Sequence, residues 1–572
     1  MLAWRPLTAM ARLQQGSLLM KTADYPAAEK ALEAAYSTAT EGGAPEVAVG
    51  AATLLVRVVG YDQARYAEGR LWGRLAEVAL ADLEGDQRLR RANLLGQLAG
   101  VQTAATGDYE QAKAAEAQTL AIREQVLGTD HPEVAECLRD LAGVYQELGD
   151  YEQAKALYER ALAIQDKAQG PDHPDVASSM DSLARIYRIT GDYEEAKRLH
   201  EQALGIRKVA LGPNHPDVAS SLEGIAASHK ELGNYEEAKA LYEQSLAIDE
   251  AALGPKHPDI ARSLSNLAGV HKALGDSPQA KVLYERALVI AEEALGPKHP
   301  DVAEILNNLG AIQKALGDYA GAEARYERSL AIFEETLGPQ HPNVASCLTN
   351  LAGILVERGA YDEAAALHER AIAIFEAALG PEHPNVARAL GNLAVTRDRS
   401  GRYVEAIAAY ERSIAIKEKA LGADHSSVAQ SLYNLALVYG KLGANDEAIA
   451  LHTRAIAIYE ASLGSEHPLL ATSLVALAEL EIARGRAGEA VAPAQRAVLM
   501  REHEGLPGKG LADARFVLAY ALWSAPVGSG RDRARAMALI EQAREGYRGL
   551  GDGGAEDLAE IEVWLREHAR DP

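Results

Sequence analysis

The sequence predicts an all-α solenoid of stacked helix hairpins, and three observations carry that prediction. The chain has 572 residues, which is too long for one ordinary compact core. Aromatic residues make up only 5% of it, which suits Ala- and Leu-rich helical packing better than β-sheets. One histidine recurs every 42 residues. Between several domains and one repeat array, this recurrence favours the array.

The 42-residue period is defined by nine histidines, and all but His425 are followed by proline. The nine are His131, His173, His215, His257, His299, His341, His383, His425 and His467. Glycines keep the same spacing at two further points, from Gly128 to Gly464 and from Gly149 to Gly485. Each unit therefore has two turns and two segments between them.

The two segments of a unit are predicted to be amphipathic helices. After His257 and its proline, Ile260, Leu264 and Leu267 recur at helical spacing. Proline suits the first helical position, and the acidic residue or asparagine that usually follows favours the positive end of the helix dipole. The segment from Tyr235 has an apolar side opposite Glu and Lys, and Leu-Gly-Pro ends it. One hairpin cannot bury its apolar stripe alone, so stacking completes the core.

A family resemblance rests on these same repeats. Two units read LYERALAIQDKAQGPDHPDVASSMDSLARIYRITGDYEEA and LYERALVIAEEALGPKHPDVAEILNNLGAIQKALGDYAGA. They resemble the long tetratricopeptide repeat of kinesin light chains and their bacterial relatives, closely over about 131–500. Ala142, Gly149, Ala154, Tyr158 and Ala161 occupy the small and aromatic positions of that pattern. The resemblance implies a right-handed superhelix.

The ends of the chain depart from the repeat, so we predict three regions. Residues 1–130 form three degenerate helical pairs, 131–505 form nine 42-residue repeats, and 506–572 form a divergent pair and a capping helix. The total is about thirteen helical pairs plus the cap. Atypical ends are expected because the terminal repeats of a solenoid need a polar outer face.

Charge and apolar patterning limit the location and the partners. The net charge of −24 repels nucleic acid and anionic lipid. No segment reaches membrane-spanning length, and the first twenty residues lack the apolar run of a secretory signal. Cys137 and Cys347 are too few for a disulfide framework or a cysteine-based zinc site, so both are predicted to be small buried residues. We expect a cytoplasmic, bacterial protein that binds neither nucleic acid nor membranes.

Catalytic and cofactor motifs are missing from the sequence. It has no phosphate-binding loop, kinase triplets, nucleophile elbow or paired-histidine zinc helix. The periodic histidines suggest metal binding, but packed helices lie about 8–10 Å apart and each repeat contributes two, so neighbouring histidines cannot share one ion. We predict that the histidines close the inter-repeat loops, that no cofactor is bound, and that the chain is not an enzyme.

The resemblance also implies which residues line a peptide groove. With Ala135 as position 1 of its repeat, positions 2, 5, 6, 9, 12 and 13 face inward, and they share one arc away from the apolar stripe. Position 6 holds asparagine in five consecutive repeats. These residues are Asn266, Asn308, Asn350, Asn392 and Asn434. An amide can both donate to and accept from the backbone of an extended peptide. The alternative is that these asparagines only adjust the helix or meet solvent.

Cations recur on the same inward positions. They are Arg185, Arg188, Lys230, Arg262, Lys272 and Lys314, and four acidic residues accompany them. A weakly positive stripe within a strongly negative chain favours an acidic, extended ligand, whereas a solvated mixed-charge face is the alternative. We predict a scaffold that binds a protein or peptide in the groove. The second hypothesis is a regulatory or sensor arm linked to a kinase or a protease. The sequence fixes neither the partner nor the oligomeric state.

Overall fold

The structure is a computed structural model that describes residues 4–503 and 508–568. These residues contain 27 α-helices arranged as consecutive hairpins, and neighbouring hairpins pack on each other over residues 5–379 and again from residue 403 onward. The prediction of an all-α solenoid is confirmed, with thirteen helical pairs and one terminal helix.

Three irregular hairpins precede the regular array. Their helices are α1 (Arg5–Lys21), α2 (Tyr25–Gly42), α3 (Pro45–Leu55), α4 (Tyr66–Ala81), α5 (Arg88–Thr106) and α6 (Tyr109–Leu127). A π-helical segment, Val56–Asp62, continues α3. This part of the sequence does not keep the regular 42-residue spacing of histidine and glycine. Gly60 and Gly69 make a close helix approach there, because a Cβ on Gly69 would lie 2.4 Å from the Cα of Gly60.

Nine regular hairpins follow. The first helices are α7 (Pro132–Glu147), α9 (Pro174–Ile189), α11 (Pro216–Glu231), α13 (Pro258–Ala273), α15 (Pro300–Ala315), α17 (Pro342–Glu357), α19 (Pro384–Arg399), α21 (Ser426–Lys441) and α23 (Pro468–Ala483). The second helices are α8 (Tyr151–Gln169), α10 (Tyr193–Leu211), α12 (Tyr235–Leu253), α14 (Ser277–Leu295), α16 (Tyr319–Leu337), α18 (Tyr361–Leu379), α20 (Tyr403–Leu421), α22 (Asn445–Leu463) and α24 (Ala487–His503).

The periodic histidines cap the first helices of these hairpins. In all nine, Nδ1 accepts a hydrogen bond from the backbone N–H two residues later, at 3.0–3.3 Å. The cap satisfies an N–H that has no partner within the helix, and the proline behind it starts the first turn. Because Nδ1 accepts, the ring proton lies on Nε2. Burial lowers the pKa of His341 and His383 to about 4, which keeps these two caps in the neutral form.

A buried tyrosine or histidine of the second helix fills the interior in eight of the nine regular hairpins, and α24 has Ala494 at this position. From α8 to α22 these buried residues are Tyr158, His200, Tyr242, Tyr284, Tyr326, His368, Tyr410 and His452. Two of these rings pack on a glycine of a first helix, His200 on Gly224 of the following hairpin and Tyr326 on Gly310 of its own hairpin. A Cβ on Gly224 would lie 2.4 Å from the His200 ring, and one on Gly310 would lie 2.8 Å from the Tyr326 ring. Tight packing of a large side chain on a small one sets the distance between the two helices.

The helices divide into two compact units, Met1–Asn392 and Leu393–Pro572. In the first unit the solenoid returns on itself. Nε2 of His383 donates to the carbonyl of Glu147, 236 residues earlier in the sequence, at 2.8 Å. A Cβ on Gly107 would lie 2.6 Å from Cδ of Pro342. Hairpins six places apart therefore touch as well as neighbours. The predicted regions 1–130, 131–505 and 506–572 stay predictions, and the last boundary lies outside the described residues.

The second unit ends in an aromatic cluster. Its last helices are α25 (Lys509–Ser524), α26 (Arg533–Gly549) and α27 (Ala555–His568), with a 3-10 turn at Gly551–Gly554. The rings of Trp523 and Trp564 meet edge to face with centroids 5.2 Å apart, and His568 stacks on Trp564 at 4.4 Å. Arg533 covers the outer side of Trp523. The cluster seals the apolar end of the stack.

The two contacts of His383 can be separated by mutation. His215→Ala removes a cap alone and should cost about 1 kcal/mol. His383→Ala removes a cap and the hydrogen bond to Glu147, so we expect about 2 kcal/mol. His383→Asn, which can still cap, should lie between wild type and His383→Ala. Urea unfolding followed by circular dichroism measures all three. A wild-type midpoint for His383→Asn would show that the contact between distant hairpins contributes no stability.

Candidate binding surface

The predicted asparagines do not share one environment. Asn266 and Asn308 are half-buried, and their side chains make no hydrogen bond within residues 4–503 and 508–568. The amide of Asn350 donates to Oδ1 of Asn307 at 2.9 Å, across two first helices. In the second unit, Asn434 accepts from Gln430 at 3.5 Å. Asn392, the last residue of the first unit, is exposed. Asn266 and Asn308 are thus available to a ligand without loss of an internal bond.

Half of the predicted cations are held by acidic neighbours. Arg262 pairs with the buried Glu223. Lys230 lies 3.8 Å from Glu231. Lys314 donates to the carbonyl of Gly353 at 3.0 Å and lies 3.6 Å from Glu357, so it joins two repeats.

The other three cations, Arg185, Arg188 and Lys272, form no ion pair among the residues that the structure describes. Arg185 and Lys272 are exposed, and Arg188 is half-buried. The positive stripe predicted from the sequence is therefore partly neutralised within the protein.

A cavity of about 1030 Å³ lies inside the first unit. One wall comes from the N-terminal hairpins and the helices α7, α8 and α9. The opposite wall comes from the first turns of α13, α15 and α17, which the return of the solenoid brings close. Of the predicted site residues, Arg185 and Arg262 line the cavity and the other nine do not.

The cavity lining carries more negative than positive side chains. The acidic ones are Asp62, Glu116, Asp140, Glu147, Asp259 and Asp301, and the basic ones are Arg57, Arg123, Arg185 and Arg262. Five tyrosines complete the polar lining, namely Tyr25, Tyr61, Tyr66, Tyr109 and Tyr158. Desolvation within the enclosure raises the pKa of Asp62 to about 6, against the smaller opposing effect of Arg57. Carboxylates that bind protons this readily lack compensation from their surroundings.

Glu116 on α6 is the least compensated of these groups. Its side chain is 6% exposed, and Oε2 has no hydrogen-bond partner. Burial raises its pKa to about 7, and the nearby Asp140 carboxylate adds to that shift. Arg123 opposes the shift, but two of its three guanidinium nitrogens donate elsewhere and Nε has no partner. Its Nη1 donates to the Glu133 carbonyl at 3.1 Å and its Nη2 donates to Oδ1 of Asn93 at 2.5 Å.

Asp140 on α7 supplies a second carboxylate beside Glu116. Its side chain is exposed into the enclosed space, and it forms no ion pair or hydrogen bond in the described part of the chain. Desolvation raises its pKa although solvent reaches it. The shift follows from the protein atoms that surround the carboxyl group, although part of its surface is open to the cavity.

The sequence analysis missed Glu116, although a signal for it is present. Residue 116 is one 42-residue period before Tyr158, so a carboxylate occupies the position that holds Tyr or His in the eight following hairpins. The residue is smaller than a tyrosine and leaves open space. A Cβ on Gly96 of α5 would lie 3.8 Å from Oε1 of Glu116, and one on Gly100 would meet nothing within 4 Å. Extending the repeat alignment upstream of residue 131 would have found the exception.

Burial of Glu116 should cost stability in a pH-dependent way. Its folded-state pKa lies above the unfolded value, so the free energy of unfolding should fall as pH rises from about 4.5 to about 7 and stay low above that. Glu116→Gln should therefore unfold at a higher temperature near pH 8, with a gain on the order of 2 kcal/mol, and match wild type near pH 4. Thermal melts at both pH values measure this. The matched control is the exposed Glu152→Gln, whose difference from wild type should not change with pH.

None of the helices in the described ranges combines the length and apolar character that a bilayer span requires. Nowhere in residues 4–503 or 508–568 do three His, Cys, Asp or Glu side chains cluster as a metal site would need.

Comparison with known families identifies the repeat. The tetratricopeptide repeat family matches residues 90–167, 140–208, 188–251, 217–293, 259–335, 301–377, 350–419 and 427–502. None of the curated proteins compared with the chain matches it.

Solved structures resemble parts of the chain. BtubC (BKLC) from P. vanneervenii is 26% identical over 40% of this chain and 92% of its own, with a TM-score of 0.34. The nearly identical TPR-like repeats of a putative kinesin light chain from Podosopora anserina are 31% identical over 36% of this chain and 98% of their own, with a TM-score of 0.31. A Rap protein complexed with Competence and Sporulation Factor is 16% identical over 66% and 98%, with a TM-score of 0.44.

The family matches overlap one another from residue 90 to residue 419 and resume at 427, so they cover more than half of the chain. They agree with the hairpins, the turn glycines and the buried aromatic position described above. The chain therefore belongs to the tetratricopeptide repeat family, with repeats of 42 residues, and its fold is that of a protein-interaction scaffold.

Proposed function

We propose that this scaffold holds an extended segment of a partner protein along the inner positions of its first helices. The observation that carries the proposal is the pair Asn266 and Asn308, which present half-buried and unused amides at the same position of consecutive repeats. A ligand with its own backbone donors and acceptors can bond to both amides. Because neither amide gives up an internal bond, binding there costs little desolvation beyond that of the ligand.

The cations without an internal partner favour an acidic ligand segment, bound near the middle of the first unit. Arg188 and Lys272 are the cations of the row at position 12 that lack an ion-pair partner among the described residues. Lys272 shares a repeat with Asn266, and Arg188 lies two repeats before it. Lys230, Arg262 and Lys314 contribute less, since each already interacts with a carboxylate. Charge-assisted hydrogen bonds to Arg188 and Lys272 would fix the direction of an acidic ligand.

We also propose that the chain is not itself an enzyme. The support for this is the scaffold character of its family. A cytoplasmic location and a bacterial source stay predictions from the sequence.

The test is a selection of random short peptides on the wild-type protein, followed by binding measurements on variants. We expect the selected peptides to be rich in Asp and Glu. Arg188→Glu combined with Lys272→Glu should weaken them at least about tenfold and reduce the salt dependence. Asn266→Ala combined with Asn308→Ala should weaken binding at low and high salt alike. Lys314 and Asn350 are unsuitable for this test because their replacement would break internal contacts.

The control is Lys256→Glu, which makes one charge reversal of the same kind at an inter-repeat loop where the side chain is 81% exposed. Its exposed ion pair with Glu293 contributes little to the free energy of unfolding, so peptide binding and stability should stay at the wild-type level. Peptides that bind both inner double variants as well as wild type, but lose affinity when the outer faces of the second helices are changed, would rule out the proposed surface.

A further inference from the structure

We propose that the cavity of the first unit binds a cationic group, an alkylammonium or a guanidinium, between the carboxylates of Glu116 and Asp140. The site differs from the asparagine and lysine surface in residues and in charge. The two proposals can therefore fail separately.

The first support is that Glu116 is built into the cavity without a partner. A carboxylate that is buried to this degree is normally paired or hydrogen-bonded, because its desolvation is otherwise uncompensated. Among the described residues Oε2 has no hydrogen-bond partner. Nη1 and Nη2 of Arg123 donate to Asn93, Cys137 and the Glu133 carbonyl, and its Nε, which has no partner, makes no hydrogen bond to Glu116. A cation from outside would complete the pair.

The second support is the replacement of an aromatic core residue. Every hairpin from α7/α8 to α21/α22 has Tyr or His where the α5/α6 hairpin has Glu116. Those rings fill the space between the two helices, whereas Glu116 leaves it open beside Gly96 and Gly100. A stack that needed only a core residue at this position would be better served by another ring, since an apolar ring there costs no charge desolvation.

The rest of the lining suits a cation better than an anion. Asp140 presents a second unpaired carboxylate, and the rings of Tyr66, Tyr109 and Tyr158 border the same space. Tyrosine faces attract ammonium and guanidinium groups in desolvated sites. Three of the four arginines are already engaged, Arg57 with Asp62 at 3.7 Å, Arg123 as described above, and Arg262 with Glu223. An anion would meet unpaired carboxylates, while a cation would neutralise them.

The size of the cavity admits more than a single ion. A volume of about 1030 Å³ falls at the upper end of ordinary ligand pockets, which can enclose a Lys or Arg side chain or a linear polyamine. The shared chemistry is a positive charge on a slender apolar stem. Its source is either a side chain of a polypeptide or a free amine.

Calorimetric titration of the full chain distinguishes these sources. The probes are spermidine, agmatine and a short Gly-Ser peptide with a central Lys or Arg, against the same peptide with norleucine. We expect saturable one-to-one binding of the cationic probes and none of the norleucine peptide. Tighter binding of the Lys or Arg peptide than of spermidine assigns the site to a protein side chain, and the reverse order assigns it to a free polyamine.

Two variants and one control test the residues. Glu116→Gln keeps the shape and removes the charge, and Glu116→Tyr restores the residue type of the other hairpins and fills the space. Both should weaken the cationic probes at least about tenfold, while circular dichroism confirms that the helices remain. Glu152→Gln changes the net charge equally on the exposed surface and should bind as wild type. Absence of saturable binding in wild type, or unchanged binding in both Glu116 variants, overturns the proposal.

Discussion

The structure depends on the bond between a histidine ring and the first turn of the helix that follows it. Each hairpin must start its first helix at the same angle to the preceding one, because a small error would accumulate along the stack. The Nδ1 cap fixes the backbone at that junction, and the following proline fixes the next φ angle. Because Nδ1 forms the cap, the Nε2–H group of the same ring can donate a hydrogen bond to another part of the protein. At His383 this N–H reaches Glu147, so one residue both sets the local geometry and joins distant hairpins.

Such a contact changes what the solenoid can enclose. In a stack where repeats touch only their neighbours, the inner surface is an open groove. Here the first turns of α13, α15 and α17 lie against the N-terminal hairpins, and the space between them becomes a cavity in which carboxylates are desolvated while water still reaches them. The raised pKa values of Asp62 and Glu116 follow from this enclosure more than from any single neighbour.

The periodic part of the fold could be predicted from the sequence, and the cavity could not. Periodicity, Pro at the helix start and Gly at the helix end are local signals, so the hairpins, their boundaries and the terminal helix followed from them. The return of the solenoid depends on small rotations between repeats, to which no single residue type corresponds. Glycines such as Gly107 permit a distant hairpin to pack closely against them, but the sequence does not show which residue will lie there. The pairing of Lys314 with Gly353 and Glu357 was missed for the same reason, since its partners lie in the next repeat.

Deviation from the repeat is more informative about binding than the repeat itself. A position that holds Tyr or His in eight hairpins is one whose packing the fold requires, and the irregular N-terminal hairpin replaces it with a buried acid. Degeneracy at a solenoid end is normally explained by the polar outer face of a cap. Glu116 does not fit that explanation, because it faces the interior and the hairpins around it are covered on both sides. Its charged form costs folding free energy, which protonation relieves below a pKa of about 7 and which the cation proposed above would offset at higher pH.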